Sequence, residues 1–294
     1  MSAIVTCKPV ASRISASRVG IYAILLGTAA VFLLPLFVMV VTSLKSLSEI
    51  QNGNMLALPT NPSVAAWFSA WGSACIGLTC SGLRSYFLNS VFMVVPAVVI
   101  GIGIGSLNGY ILSKWRFPGD QWVFGLMLFG CFIPYQVVII PMAEFLGLLH
   151  LAGTTQGLVL VHVVYGIGFN TLFFRNYLKT FPDELVRAAQ VDGASFYQIF
   201  RRIILPSCGP MIVVTMIFQF TNIWNDFLFG AAFASGRGAP ITVALNNLVN
   251  SSTGVKEYNV HMAAALIAAT PTLIVYVLAG RHFVRGLMSG AVKG

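Results

Sequence analysis

The side chains best suited to holding a ligand stand together in Gln219-Phe220-Thr221-Asn222-Ile223-Trp224-Asn225-Asp226-Phe227, at the end of a long apolar run. Amides, an indole and a carboxylate within two turns are costly in hydrocarbon, so they must face water or the interior of a helix bundle. Planar polar groups beside an aromatic face suit the hydroxyls and the apolar side of a sugar ring, which makes Asn222, Trp224, Asn225 and Asp226 candidates for a substrate pathway. The plainer reading is that these groups tie one helix to its neighbours or steady an outer gate. Asn89, near the start of another apolar run, carries the same two readings. Metal and redox chemistry have no comparable arrangement. The five cysteines (Cys7, Cys75, Cys80, Cys131 and Cys208) lack zinc or iron ligand spacing, so no metal site and no cofactor are expected. Cys75 and Cys80 share one polar segment and can pair in oxidising surroundings. His150 and His162 show no chain of titratable neighbours of the kind a proton relay needs and read as structural residues.

A second segment, Thr180 to Pro206, interrupts otherwise membrane-grade sequence with a basic, water-compatible stretch. Thr180 is suited to capping a first helix with Pro182 near its first turn, where a missing N–H costs least. Asp183 and Glu184 complement the positive end of that helix. Gly193 can adopt the left-handed conformation that stops a helix, Ser195 and Gln198 have capping-box spacing for the next one, and Pro206 is expected to end it. Two short helices with Ala188-Ala189 and Gly193 at their junction let a partner's backbone approach closely. An ordinary amphipathic hairpin lying in the interface does not require that approach.

These elements need a membrane to position them. Of 294 residues, 57% are apolar and only 9% charged, far from the quarter typical of soluble domains. Runs long enough to cross a bilayer, about twenty residues each, lie at Ile21 to Leu44, Tyr86 to Ser113, Gln121 to Met142, Thr155 to Phe174, Ile203 to Asn225 and Tyr258 to Gly280. The fold expected is therefore all-α, with six transmembrane helices. Lys and Arg in short loops mark the cytoplasmic side. With both termini inside, thirteen basic and four acidic residues face the cytoplasm and four of each face outward, so the net charge of +9 lies wholly inside. The basic residues are spread over separate loops without any nucleic-acid-binding motif, which excludes nucleic acid as a partner. The chain divides into a cytoplasmic tail, 1–20, and a membrane domain, 21–294, which includes the polar loop 176–206 and a cytoplasmic tail, 281–294. Gly101, Gly105 and Gly109 recur on one face of the second span and read as a helix-packing stripe, whereas Gly103 completes only a superficial nucleotide-binding look.

The loop resembles the cytoplasmic signature of permease subunits of bacterial ATP-binding-cassette importers, E-A-A, three residues, Gly, nine residues, I-x-L-P. Arg187, Ala188, Ala189, Gly193, Ile203, Leu205 and Pro206 stand at its positions, with Arg187 where the family usually has Glu. Further pieces are similar to the carbohydrate-uptake branch: Asn89-Ser90, Arg116-Phe117-Pro118-Gly119, Pro134 with Pro141, Asp192-Gly193-Ala194, the W-N-x-F-like Trp224-Asn225-Asp226-Phe227, and the C-terminal Gly290 to Gly294. The resemblance implies a type I importer fold in the bacterial inner membrane. It also implies that Glu184, Arg187, Ala188, Ala189, Asp192, Gly193, Ala194, Phe196, Ile203, Leu205 and Pro206 couple the spans to an ATPase, with Val292, Lys293 and Gly294 as a tail contact. The implied partners are a second permease subunit, a cytoplasmic ATPase dimer and a periplasmic sugar-binding protein, within a lipid bilayer. The chain itself is expected not to be an enzyme, since no G-x-x-x-x-G-K-[ST] occurs in it.

Two alternatives stay open at this level. An importer of another substrate class shares the loop signature. An ion-coupled transporter requires carboxylates near the midplane, and Glu144 and Asp226 lie toward the outer ends of their spans.

Overall fold

The computed structural model describes residues 16–234, 236–250 and 256–291; Val292, Lys293 and Gly294 lie outside them. Helix α1 (Ala16–Ser43) leads into the short helices α2 (Leu47–Asn52) and α3 (Ala65–Gly72), then a two-stranded antiparallel hairpin, β1 (Cys75–Ile76) and β2 (Thr79–Cys80). Then follow α4 (Arg84–Lys114), α5 (Asp120–Phe132), α6 (Tyr135–Leu148), α7 (Thr155–Lys179), α8 (Asp183–Val191) and α9 (Phe196–Ile199). A π-helical turn (Phe200–Ile204), α10 (Leu205–Ser207), α11 (Gly209–Trp224), α12 (Leu228–Phe233), α13 (Ile241–Val249) and α14 (Tyr258–Ala291) complete the described chain. The hairpin is the one departure from an all-helical fold among the described residues, and a Cys75–Cys80 disulfide closes it.

Among the described residues four helices, α1, α4, α7 and α14, are long and apolar enough to cross a membrane unaided. The third and fifth expected spans are each bent pairs: α5 and α6 meet at 100°, and the α9–α10 segment meets α11 at 75°. Counting each pair as one span gives six. Proline explains both breaks. Pro134 occupies the position before α6 and forces Ile133 into extended backbone (ψ 123°), which a helix cannot pass through. Pro210 in the first turn of α11 lacks the N–H that would continue the ladder from α10.

Two local expectations are corrected. Thr180 does not cap α8; its hydroxyl donates to the Tyr177 carbonyl at the end of α7, and Pro182 occupies the start of α8 without a side-chain cap. Pro206 does not end the second loop helix, which runs on to Ser207. The chain accommodates the proline by widening the preceding turn to a π-helix, where the Leu205 N–H reaches the Phe200 carbonyl.

The framework is the contact of α4 with α7. A Cβ placed on Gly105 would stand 2.4 Å from the Asn170 Cβ, one on Gly109 2.5 Å from the Phe174 Cβ, and one on Gly101 3.0 Å from the Asn170 amide nitrogen. The two backbones therefore touch along a small-residue stripe, the packing mode that works in lipid, where no hydrophobic drive pulls helices together. The polar segment after α1 packs back on this framework: the Trp67 indole donates to the Ser43 hydroxyl at 3.2 Å, and the Trp71 ring meets Phe87 edge-on at 5.5 Å. Those tryptophans bind the segment to the spans rather than standing free at an interface. Helix α1 is different, with Ile24 and Phe32 more than 70% exposed, as befits a span facing lipid or another chain.

Gly105→Leu should force α4 and α7 apart and lower stability by about 1–3 kcal/mol. Gly103→Ala, whose Cβ would meet nothing within 4 Å, should be neutral. Thermal unfolding of the purified protein in detergent separates the two; equal midpoints would contradict the close approach.

Candidate functional site

The polar loop builds upward from its caps. Asp183 and Glu184 occupy the first turn of α8, Gly193 takes φ +78° after α8, and Ser195 and Gln198 form a reciprocal capping box at α9. In that box the Ser195 N–H donates to Gln198 Oε1 at 2.8 Å and the Gln198 N–H to Ser195 Oγ at 3.4 Å. The result is a helix-turn-helix hairpin whose geometry the local sequence largely specifies.

Tertiary packing then fastens the hairpin to the spans. Val186, Ala189, Ile199, Phe200 and Ile204 are buried with Tyr110, Phe174 and Leu178 from the ends of α4 and α7. Ala194, Phe196, Ile203 and Leu205 pack against this cluster. Tyr110 lies 5.0 Å from the Phe196 ring and stacks on Phe200 at 5.7 Å, and Trp115 meets Phe196 edge-on at 5.1 Å. Such aromatic contacts add about 0.5–1.5 kcal/mol each beyond burial. Two polar clasps complete the joint. The buried Lys114 ammonium donates to the Phe181 carbonyl at 2.6 Å and to Asp183 Oδ1 at 2.5 Å, and the Tyr177 hydroxyl donates to the Ser207 carbonyl at 2.9 Å. The hydrogen bond from Lys114 holds the Asp183 carboxyl below its ordinary pKa, so this carboxylate stays ionised through the neutral range.

The signature residues thus divide by face. Glu184, Arg187, Ala188, Asp192, Gly193 and Pro206 are exposed, whereas Ala189 turns inward and serves the joint. Beside the exposed signature residues stand three apolar side chains that the sequence reading passed over: Leu185, Val191 and Tyr197, at 50%, 87% and 62% exposure. Exposed apolar groups ringed by charge on a hairpin beyond the ends of the spans have the make-up of a protein interface. Lys114 was also passed over, because as one basic residue among several at the end of a span it carries no distinguishing local signal.

At the other end of the bundle, the polar cluster of α11 is mostly tied up. Trp224 is buried, donates its indole N–H to the Ala268 carbonyl of α14 at 2.8 Å and stacks on Phe220 at 5.7 Å. Asp226 caps α12, its carboxylate accepting from the backbone N–H groups of Phe229 at 3.3 Å and Gly230 at 3.1 Å. The Asn89 amide donates to the Ala239 carbonyl at 3.0 Å, and Ser90 Oγ accepts from the Ile241 N–H at 2.8 Å, so α4 holds the start of α13. Asn222 and Asn225 are exposed, and the Asn222 amide donates back to its own helix at the Phe218 carbonyl. The structure therefore favours the helix-tying reading for Asn89, Trp224 and Asp226.

His162 does have a titratable neighbour that its sequence surroundings did not reveal: its Nε2 lies 3.7 Å from Asp226 Oδ2, with the ring against Phe229. Among the described residues no three His, Cys, Asp or Glu side chains converge on a point that would hold a metal ion.

Residues 97–288 match the family model for the binding-protein-dependent transport system inner membrane component. The xylose/arabinose import permease protein XacI of Haloferax volcanii is 34% identical over 295 aligned residues covering 93% of both chains. The osmoprotective compounds uptake permease protein GgtD of Synechocystis is 38% identical over 218 residues, covering 74% of this chain and 72% of that one. In fold, the chain is similar to a solved chain of a bacterial ABC transporter involved in the import of the acidic polysaccharide alginate, with a TM-score of 0.79, 21% identity, and coverage of 94% of this chain and all of that one. The family match over 97–288 and a relative 34% identical across nearly the whole chain settle the assignment: the chain belongs to the binding-protein-dependent inner-membrane components, the channel-forming permease subunits of ABC transporters.

Proposed function

We propose that this permease supplies half of the translocation pathway of an ATP-driven sugar importer, receiving sugar from a periplasmic binding protein and mechanical work from a separate cytoplasmic ATPase dimer. The observation that carries this reading is the joint between the hairpin and the spans. A loop that transmits force must move as one body with the helices it drives, and this one is fixed to α4 and α7 by an aromatic cluster and by Lys114. Its exposed face, with Leu185, Arg187, Ala188 and Val191, would seat in a cleft on the ATPase. Closure of the ATPase pair on ATP would push both hairpins, and α4 would carry that displacement about 45 Å to the outer end of the bundle. Hydrolysis would reset the spans. Val292, Lys293 and Gly294 extend the same contact by the resemblance noted above. The positive-inside distribution of Lys and Arg supports cytoplasmic termini and hence a cytoplasmic hairpin. The sugar class rests on the imported substrates for which relatives such as XacI are named.

Gly193→Pro should abolish uptake while the protein still reaches the membrane, because the proline ring fixes φ near −65° and cannot take the +78° of this turn. Normal uptake by that variant would contradict the proposal. Lys114→Met keeps the apolar stem but removes its two hydrogen bonds, to the Phe181 carbonyl and to Asp183, and leaves the Tyr177 clasp in place. Losing a hydrogen bond from a charged group costs about 1.5–3 kcal/mol, so uptake should fall roughly tenfold or more while the ATPase still co-purifies. Loss of co-purification with unchanged uptake per assembled complex would argue for a purely structural lysine.

A further inference from the structure

At the end of α4 opposite the hairpin, the structure has a cavity of about 810 Å³ between the Cys75–Cys80 hairpin, the first turn of α4 and the α12–α13 region. Six side chains give it its character: Thr79, Ser81 and Tyr86 on one wall, Phe227, Asn246 and Asn247 on the other. None of its described lining side chains carries a charge, which argues against an ionic ligand. The Asn246 and Asn247 amides are exposed neighbours on α13. Asn250 donates to Asn246 Oδ1 at 2.8 Å, leaving both amide hydrogens of Asn246 to donate elsewhere, and Asn247 has no partner among the described residues. An amide supplies donors and an acceptor in one plane, hydroxyls supply both, and two aromatic rings supply apolar faces. Volume and composition fall within the range of small-molecule sites, about 300–1,000 Å³.

The bonds that tie α4 to the start of α13 also hold the walls. Asn89 to Ala239, Ser90 to Ile241, and the Thr242 hydroxyl to the Asp226 carbonyl at 2.6 Å position the α13 wall, while the disulfide closes the opposite hairpin. Asn89 and Asp226, two of the residues that the sequence suggested as ligands, are thus positioning residues for a chamber built from others.

We infer that this chamber is an outer vestibule that binds a neutral sugar, through Asn246, Asn247, Tyr86 and Phe227, on its way from the binding protein to the membrane pathway. This inference rests on the sugar reading above. One helix then joins both ends of the machine, since Tyr86 lines the vestibule and Lys114, at the far end of α4, clasps the hairpin.

The test uses the complete transporter in proteoliposomes, supplied with binding protein and with D-glucose, D-xylose or maltose as probe. At saturating loaded binding protein, Asn246→Ala combined with Asn247→Ala should lower uptake of the transported probe roughly tenfold, as expected for two lost hydrogen-bonding amides. Independently of folding losses in that variant, Asn246→Cys should react with a membrane-impermeant maleimide added outside, and the transported probe should slow that alkylation while glycine betaine should not. Unchanged uptake by the double variant, or alkylation indifferent to the transported sugar, would overturn the vestibule while leaving the sugar reading intact. A thiol unreactive in the assembled complex would also overturn it, by showing that a partner segment fills the chamber. Failure of the unaltered complex to import any of the three probes would overturn the sugar reading and this inference together.

Discussion

The backbone contact between α4 and α7 is the constraint on which the rest of the molecule depends. In hydrocarbon nothing squeezes two helices together as water does, so their association must come from close packing and from hydrogen bonds between them. Gly101, Gly105 and Gly109 remove the side chains that would hold the axes apart, and Asn170 and Phe174 fill the space directly against them. This contact aligns the ends of the two helices. At one end Tyr110, Phe174 and Leu178 present the surface that receives the hairpin, and at the other Asn89 and Ser90 present the groups that receive the start of α13.

The bent spans complement that stiff pair. Pro134 and Pro210 interrupt α5–α6 and α10–α11, and the π-turn before Pro206 adds a further local irregularity beside the hairpin. Bends of 100° and 75° in otherwise apolar helices place short helical pieces around the rigid pair. Freed backbone groups at such breaks are tolerated in a membrane protein where neighbouring protein covers them. The fold thus sets one closely packed helix pair among bent, segmented spans.

Polar residues at the ends of the spans opposite the helix-turn-helix hairpin illustrate how burial changes a residue's meaning. Trp224, read in isolation, is a good platform for a sugar ring; buried and bonded to Ala268, it is a tie between α11 and α14. Asn89 changes in the same way once Ala239 is found beside it. Conversely, Asn246 and Asn247 sit in a polar stretch without any motif, and only the return of α13 toward the Cys75–Cys80 hairpin gives them a shared cavity.

Much of the protein was legible in its sequence for reasons that act within a turn or two. Apolar runs of membrane length, the asymmetry of Lys and Arg, the left-handed turn at Gly193 and the Ser195–Gln198 capping box are all local, and each appears where the chain predicts it, except that proline bends two of the spans and orientation is inferred from charge alone. The glycine stripe also announced itself, because a four-residue period marks one helical face. What only the tertiary structure decided are pairings between distant segments: Lys114 with Asp183, His162 with Asp226, and Asn89 with Ala239, 150 residues apart. No helical or strand period relates such residues. Their meeting is set by how whole helices pack, and this also determines that Ala189 turns inward while Leu185 and Val191 remain open to a partner.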